Sequence, residues 1–246
     1  MRRSSARLMA IGLVVLLLIG AAAFALVRPS PETDISPRAN KPRLMLLTTL
    51  PLMFPEEFSL EGNGSKALTA LETRYQVVPV GTTDARSLGE GRMLLMAHPL
   101  AQPAQSLVEL DRWVQRGGRL LLLADPKLDW PSSRPLGDKL RPPPAFADTG
   151  LLAHWGLTLA KSEIDGPLSA EVGPNFVVFS SPGELRNEHS DCDLEAKGIV
   201  ARCRIGKGRV TLIADADWLN VEDRSKEEGR DESLELLLRE LARLER

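Results

Sequence analysis

The sequence predicts an α/β domain built on a mostly parallel sheet with helices on both faces. Three observations carry that expectation. Apolar runs alternate with helical stretches in the order RLMLLTTL, helix, QVVPV, RMLLMA, helix, RLLLLADP. At this spacing the chain reads as right-handed βαβ units, which build parallel sheets. RLLLLADP is apolar almost without interruption, as a central strand covered on both sides must be. LVELDRWVQRGG sets Leu107, Leu110 and Val114 at helical spacing and closes on Gly117-Gly118, a helix C-cap.

Taken from the start, residues 1–7 are a basic segment carrying Arg2, Arg3 and Arg7. Residues 8–27 follow with no charge, 20 residues in all, enough to cross roughly 30 Å of hydrocarbon as a helix. Ala23-Phe24-Ala25 fits a small-x-small cleavage site, so both an uncleaved anchor and a removed signal are open readings. The length of the run favours the anchor. The basic start then stays inside, giving a single-pass protein of the inner (plasma) membrane with its remainder on the outer, periplasmic side. Residues 28–42 hold Pro29, Pro31, Pro37 and Pro42 and read as an extended spacer.

The soluble α/β domain, 43–246, opens with RLMLLTTL, followed by a loop, a helix around Ser65 to Tyr75, and the strand QVVPV. After RLLLLADP comes a long proline-rich loop, 131–148, then a short helix from Gly150 to Trp155 and strands near Leu157 and Phe176. IVARCRIGKGRVTLIADADW reads as a hairpin turning at Gly206-Lys207-Gly208. The chain ends in an amphipathic helix, about Asp231 to Leu244, with Leu234, Leu237, Leu238, Leu241 and Leu244 along one face.

The formal net charge of −2 and an aromatic content of 4% give no footprint for nucleic acid. The three histidines, His98, His154 and His189, share no metal-ligand spacing, so neither a metal nor a cofactor is expected. Cys192 and Cys203 are too few for a disulfide scaffold. They could pair in an oxidising compartment, or Cys203 could be a plain buried thiol in mid-strand.

In open α/β sheets ligands sit beyond the carboxyl ends of the strands. Asp125, after LLLLA, and Asp215 and Asp217, after VTLIA, fall there. Such carboxylates can bind a cation or transfer protons, or they can cap the turns that follow; capping is the reading favoured here. GKGR lacks the spacer and the Ser/Thr of a phosphate loop and is read as a turn. No Gly-x-Ser-x-Gly elbow occurs, and His98 stands where hydrolase-like folds place a nucleophile, so it is read as a turn residue. The four tryptophans are expected in the core, with Trp130 in the proline-rich loop the one to test as a surface contact. These residues contain no catalytic constellation. An enzyme using the strand-end aspartates, and a solute-binding module with its cleft between loops 51–64 and 131–148, are the alternatives.

LVELDRWVQRGGRLLLLADP resembles a signature of the auxiliary subunits of uncharacterised ABC-type transport systems, the family that includes the gliding-motility GldG proteins. GKGRVTLIADADWLN is similar to that family's second block, and LMLLTTLPL fits its opening strand. The match runs over roughly residues 43 to 220. It implies a class I glutamine-amidotransferase-like (flavodoxin-like) fold without catalytic residues, with Asp125, Asp215 and Asp217 at the binding edge. It also implies ABC transporter permease and ATPase subunits as partners. The chain departs from larger members in having no second apolar run. Arg239, Arg243 and Arg246 lie beside the leucines of the last helix, which is therefore not a span. Without a Walker motif the chain is not itself the ATPase.

Overall fold

In the computed structural model, residues 41–54, 56, 64–163, 166–189, 191–221 and 232–246 are described. The expected membrane helix over 8–27 lies outside these residues, and among them no helix is long and apolar enough to cross a membrane.

The chain runs β1 (Arg43–Thr48), α1 (Lys66–Arg74), β2 (Gln76–Pro79), the single turn α2 (Ala85–Leu88), β3 (Met93–Ala97), α3 (Ala104–Gln115) and β4 (Arg119–Leu123). These are the βαβ units read from the alternating apolar runs. Ser65 caps α1 by accepting from Leu68 N, and Asp84 caps α2 through Ser87 N. The second half holds α4 (Leu151–His154), β5 (Leu157–Lys161), β6 (Leu168–Val172), β7 (Asn175–Phe179), β8 (Gly183–Asn187), β9 (Cys192–Glu195), β10 (Val200–Ile205), β11 (Gly208–Ile213) and α5 (Glu232–Glu245).

Seven strands form the main sheet in the order β2-β1-β3-β4-β11-β10-β9. The first five are parallel, and β10 and β9 extend the edge antiparallel. Side chains of successive strand residues alternate between two cores. On one face Leu44, Leu46, Leu95, Leu121 and Leu123 lie under α1 and α5. On the other, Met45, Leu94, Leu120, Leu122 and Leu212 lie under α3 and α4. Two small antiparallel pairs, β5 with β8 and β6 with β7, stand outside the main sheet. Of these, β6 and β8 were not foreseen, because their short runs carry Glu171, Glu184 and Arg186 and show no apolar stretch.

Two details refine the sequence reading. In α5 the buried positions are Ser233, Leu236, Leu237, Glu240, Leu241 and Leu244, while Leu234 and Leu238 are only partly covered. Glu240 can occupy the buried stripe because Arg202 of β10 meets it with two hydrogen bonds of 2.9 and 2.8 Å. The β10–β11 turn does fall at Gly206-Lys207. It packs directly on the end of α3, where Lys207 N donates to Gln115 O at 2.9 Å. Cys192 and Cys203 occupy directly paired positions of β9 and β10 and are joined by a disulfide.

The close approach at that turn explains one glycine. A Cβ on Gly208 would lie 2.1 Å from Val114 O and 2.6 Å from Gly118 O, both backbone atoms that cannot step aside. Gly208→Ala is expected to cost about 3 kcal/mol by overpacking. Gly81→Ala, where the new methyl meets nothing within 4 Å, serves as the control and should be near neutral. Urea midpoints of the two variants check this.

Candidate functional site

The strand order turns between β1 and β3, and in this topology the crevice at such a reversal is the usual ligand position. Here it is filled from within. Thr48 Oγ1 donates to Ala97 O at 2.8 Å and Thr49 Oγ1 donates to His98 O. His98 follows β3 at a φ of 46°, a left-handed conformation uncommon outside glycine. It is a turn residue, as read, but a fully buried one. Burial holds its imidazole below the usual histidine range, against the opposing pull of the Pro143 carbonyl and the Asp217 charge. A carbonyl only accepts, so Nε2 carries the proton in its 2.8 Å bond to Pro143 O. The neutral ring then leaves Nδ1 as a bare, buried acceptor without a partner among the described residues.

Beside it the structure brings the three aspartates together. Asp125 ends β4, and Asp215 and Asp217 follow β11; all are buried, and one oxygen of each lies within 4.8 Å of the others. Their remaining hydrogen-bonding capacity is largely committed to the backbone. Asp125 accepts from Lys127 N at 2.8 Å and Ala216 N at 2.9 Å. Asp215 accepts from Ser180 N at 2.7 Å, Ser181 N at 3.2 Å and Trp218 N at 3.2 Å. Asp217 Oδ2 accepts from Asp129 N at 2.7 Å and Ser181 Oγ at 2.6 Å, while Oδ1 has no partner among the described residues. Each carboxylate thus bridges two loops: Asp125 joins 126–129 to 216–218, Asp215 joins 180–181 to 216–218, and Asp217 joins 126–129 to 180–181. The capping role and the clustering are both present.

Three buried carboxylates at this spacing cannot all be charged without a counter-ion, since like charges in a desolvated site oppose one another's ionisation. Burial, and then the neighbouring Asp125 and Asp217, push Asp215 up to about 8. Burial raises Asp217 to about 6 in spite of its bonds from Ser181 and Asp129. Asp125 is raised by burial and held back by the amides of Ala216 and Lys127. Hard oxygen donors of this kind suit Ca²⁺ or Mg²⁺, yet Asp217 Oδ1 is the one oxygen of the three side chains that meets no protein donor among the described residues. Protons serve the same electrostatic end.

The cluster is roofed over. Leu128 N donates to Pro144 O and Phe146 N to Asp125 O, which folds the proline-rich loop back across the strand ends. Glu56 accepts from Ser132 Oγ and Ser133 N, tying loop 51–56 to that same loop. Beside Ser181 there is a cavity of about 70 Å³, lined by Pro126, Lys127, Lys161 and Ser162 among others. Ligand pockets of enzymes run to several hundred Å³. Trp130 is half-buried against the α1/α5 core and does not join the aspartates. Ser181 and Asp129 escaped the sequence reading, because they contribute through a hydroxyl and an amide that have no pattern of their own; His98 was placed in its turn by its position just after a strand, without its burial beside the aspartates.

No family model and no curated protein matches the chain. Solved structures share its fold. The exo-β-1,4-mannosidase Op5Man5 from Opitutaceae bacterium strain TAV5 superposes with a TM-score of 0.53 at 13% identity, over 82% of this chain and 36% of that one. The chain therefore spans about a third of the mannosidase's length. The mmIFT52 N-terminal domain superposes with a TM-score of 0.50 at 13% identity, over 82% of this chain and 97% of that domain. Likeness at this identity defines an α/β domain with a mostly parallel central sheet and nothing finer.

The raised carboxyls set a pH dependence. Asp215 has an ordinary value of 3.8 and a folded value of about 8, so the folded state holds a proton that the unfolded chain releases. Its stabilising contribution is complete below about pH 4 and is lost as pH rises through about 8. Asp215→Asn keeps an acceptor for Ser180 and Ser181 but cannot ionise. Relative to this variant, the wild-type protein should lose stability steadily between about pH 4 and 8. Denaturation curves of both proteins across that range check it; parallel curves would mean that Asp215 does not carry the proton.

Proposed function

We propose that the chain is a membrane-anchored, non-catalytic accessory component of an ABC-type transport system, with its α/β domain on the outer, periplasmic side of the plasma membrane. The observation that carries this is the state of the strand-end carboxylates. At the edge where α/β enzymes keep reactive groups, these three are buried and hold loops in place. The blocks LVELDRWVQRGGRLLLLADP and GKGRVTLIADADWLN, similar to those of the GldG-like auxiliary subunits, support the assignment. So does the strand order β2-β1-β3-β4-β11, which is that of flavodoxin-like sheets and fits a class I glutamine-amidotransferase-like fold.

The carboxyl side of the sheet also offers a contact face. Phe54, Leu136 and Leu140, at 79%, 85% and 68% exposure, stand on the two loops that Glu56 joins. Exposed apolar groups that come together as one patch suit a protein contact. The partner is a permease or ATPase-bound subunit of the same system. Co-purification from a mild detergent extract is expected to recover such a subunit, and Phe54→Ser with Leu136→Ser should reduce recovery about tenfold without moving the thermal midpoint. Recovery of the anchored chain alone would sink the proposal.

One observation favours an enzymatic reading, a hydrolase or amidotransferase relative. Asp217, a carboxyl with a raised pKa, acts on His98, an imidazole with a lowered one, and such a pairing is the arrangement by which acids and bases are separated at active sites. In that case Asp125→Asn and Asp215→Asn abolish turnover while stability is retained.

A further inference from the structure

We propose that the opposite pole of the domain, at the amino edge of the parallel strands, docks on the anionic phosphate headgroups of a lipid bilayer. The inference rests on reading residues 8–27 as a membrane anchor. It comes from where the topology puts the cations. Parallel strands all begin at one edge, and the helices between them end there. Arg43 opens β1, Arg92 precedes β3, Arg119 opens β4 and Arg209 lies at the start of β11. Arg74 is the last residue of α1, Arg116 caps α3, and Arg243 is in the final turn of α5. Arg204 and Lys207 belong to the β10–β11 hairpin. Hydrogen bonds join these segments into one surface: Arg119 N to Arg92 O, Arg209 N to Gly118 O, and Lys207 N to Gln115 O.

The register sharpens this. Arg119 pairs with Arg209, and Arg209 with Arg204. Paired residues point to the same face, so three guanidinium stems stand on neighbouring strands about 4.8 Å apart. Like charges set directly opposite one another destabilise a sheet. Nearby Arg202 is matched by Glu240 and Glu195. Among the described residues, Arg119, Arg204 and Arg209 have no such ion pair. Arg204, Arg209 and Arg243 line a groove of about 640 Å³ between β10 and the end of α5, with Asp191 and Asp193 on its β9 rim. That space accepts a phosphate headgroup, which guanidinium groups grip through two parallel hydrogen bonds. Elsewhere at this pole Glu245 is occupied by Arg74, and Glu72 and Glu90 are exposed.

A bilayer fits better than an acidic protein. The cations are spread over the starts of four strands and the ends of three helices, whereas the centre of a protein interface is depleted of charge. The exposed apolar residues Phe54, Leu136 and Leu140 sit at the other pole. The chain also reaches the domain here, at Lys41 to Arg43, with residues 28–40 alone between it and the apolar run.

The test reconstitutes the full chain in vesicles of phosphatidylcholine, with or without phosphatidylglycerol, and follows hydrogen exchange at 116–119 and 204–209. Phosphatidylglycerol should slow exchange there about fivefold, roughly one Lys/Arg contact's worth, and high salt should reverse it. Arg204→Gln with Arg209→Gln should remove the effect while leaving exchange in the sheet core unchanged. Equal exchange in both lipids overturns the proposal. So does full protection by inorganic phosphate over neutral vesicles, which would make the groove a small-anion site, or protection that appears only when a soluble acidic partner protein is added. A carbonate wash separates the underlying reading: release of the chain from the vesicles defeats the anchor, whereas retention with equal exchange defeats the docking face alone.

Discussion

Burying Asp125, Asp215 and Asp217 against one another is the constraint on which the carboxyl side of this domain depends. Three irregular segments end there with amides wholly or partly withdrawn from water, and buried N–H groups need acceptors. The aspartates supply them: Lys127 and Ala216 to Asp125, Ser180, Ser181 and Trp218 to Asp215, Asp129 to Asp217. The same burial raises all three carboxyls, so the loops are held at the expense of an easily ionised state. From this follow the path of the proline-rich loop over the strand ends, the seat of His98 beneath Pro143, and the closure of the crevice that other α/β proteins keep for ligands.

The two poles of the sheet are chemically distinct. The carboxyl pole is sealed inside and apolar at its loop tips. The amino pole is open and arginine-rich, with a ladder of like charges that has no ion-pair partners among the described residues. The antiparallel extension β10–β9 is part of the second pole, since it adds Arg204 and the groove rim to a row that the parallel strands begin. On the opposite face of the same strands, the Cys192–Cys203 bond ties the outermost strand to the sheet.

Much of the fold was legible because its elements differ in period. RLLLLADP could only be a covered strand, and Gly117-Gly118 could only end a helix beside it. The GKG turn was legible for a local reason, although its need for Gly208 is tertiary: the end of α3 lies against it. The second half was less legible. Strands β6 and β8 carry charged residues at positions exposed in small two-stranded sheets, where alternation is too short to stand out from a loop. In α5 the sequence suggested a purely leucine face, and the buried Glu240 was invisible without Arg202, which arrives from 38 residues away.

By itself the sequence determined that strands and helices alternate, that the main sheet is mostly parallel, and that Asp125, Asp215 and Asp217 stand just past strand ends. Those properties depend on local period and chain order. Only the tertiary structure decided that the three aspartates meet, that they are buried rather than open to solvent, and that His98 lies beside them with a bare nitrogen. It alone also set Arg119, Arg209 and Arg204 in one row. The reason is physical: distances between residues far apart in the chain, and the water excluded from between them, are fixed by strand register and loop closure, which no stretch of sequence carries on its own.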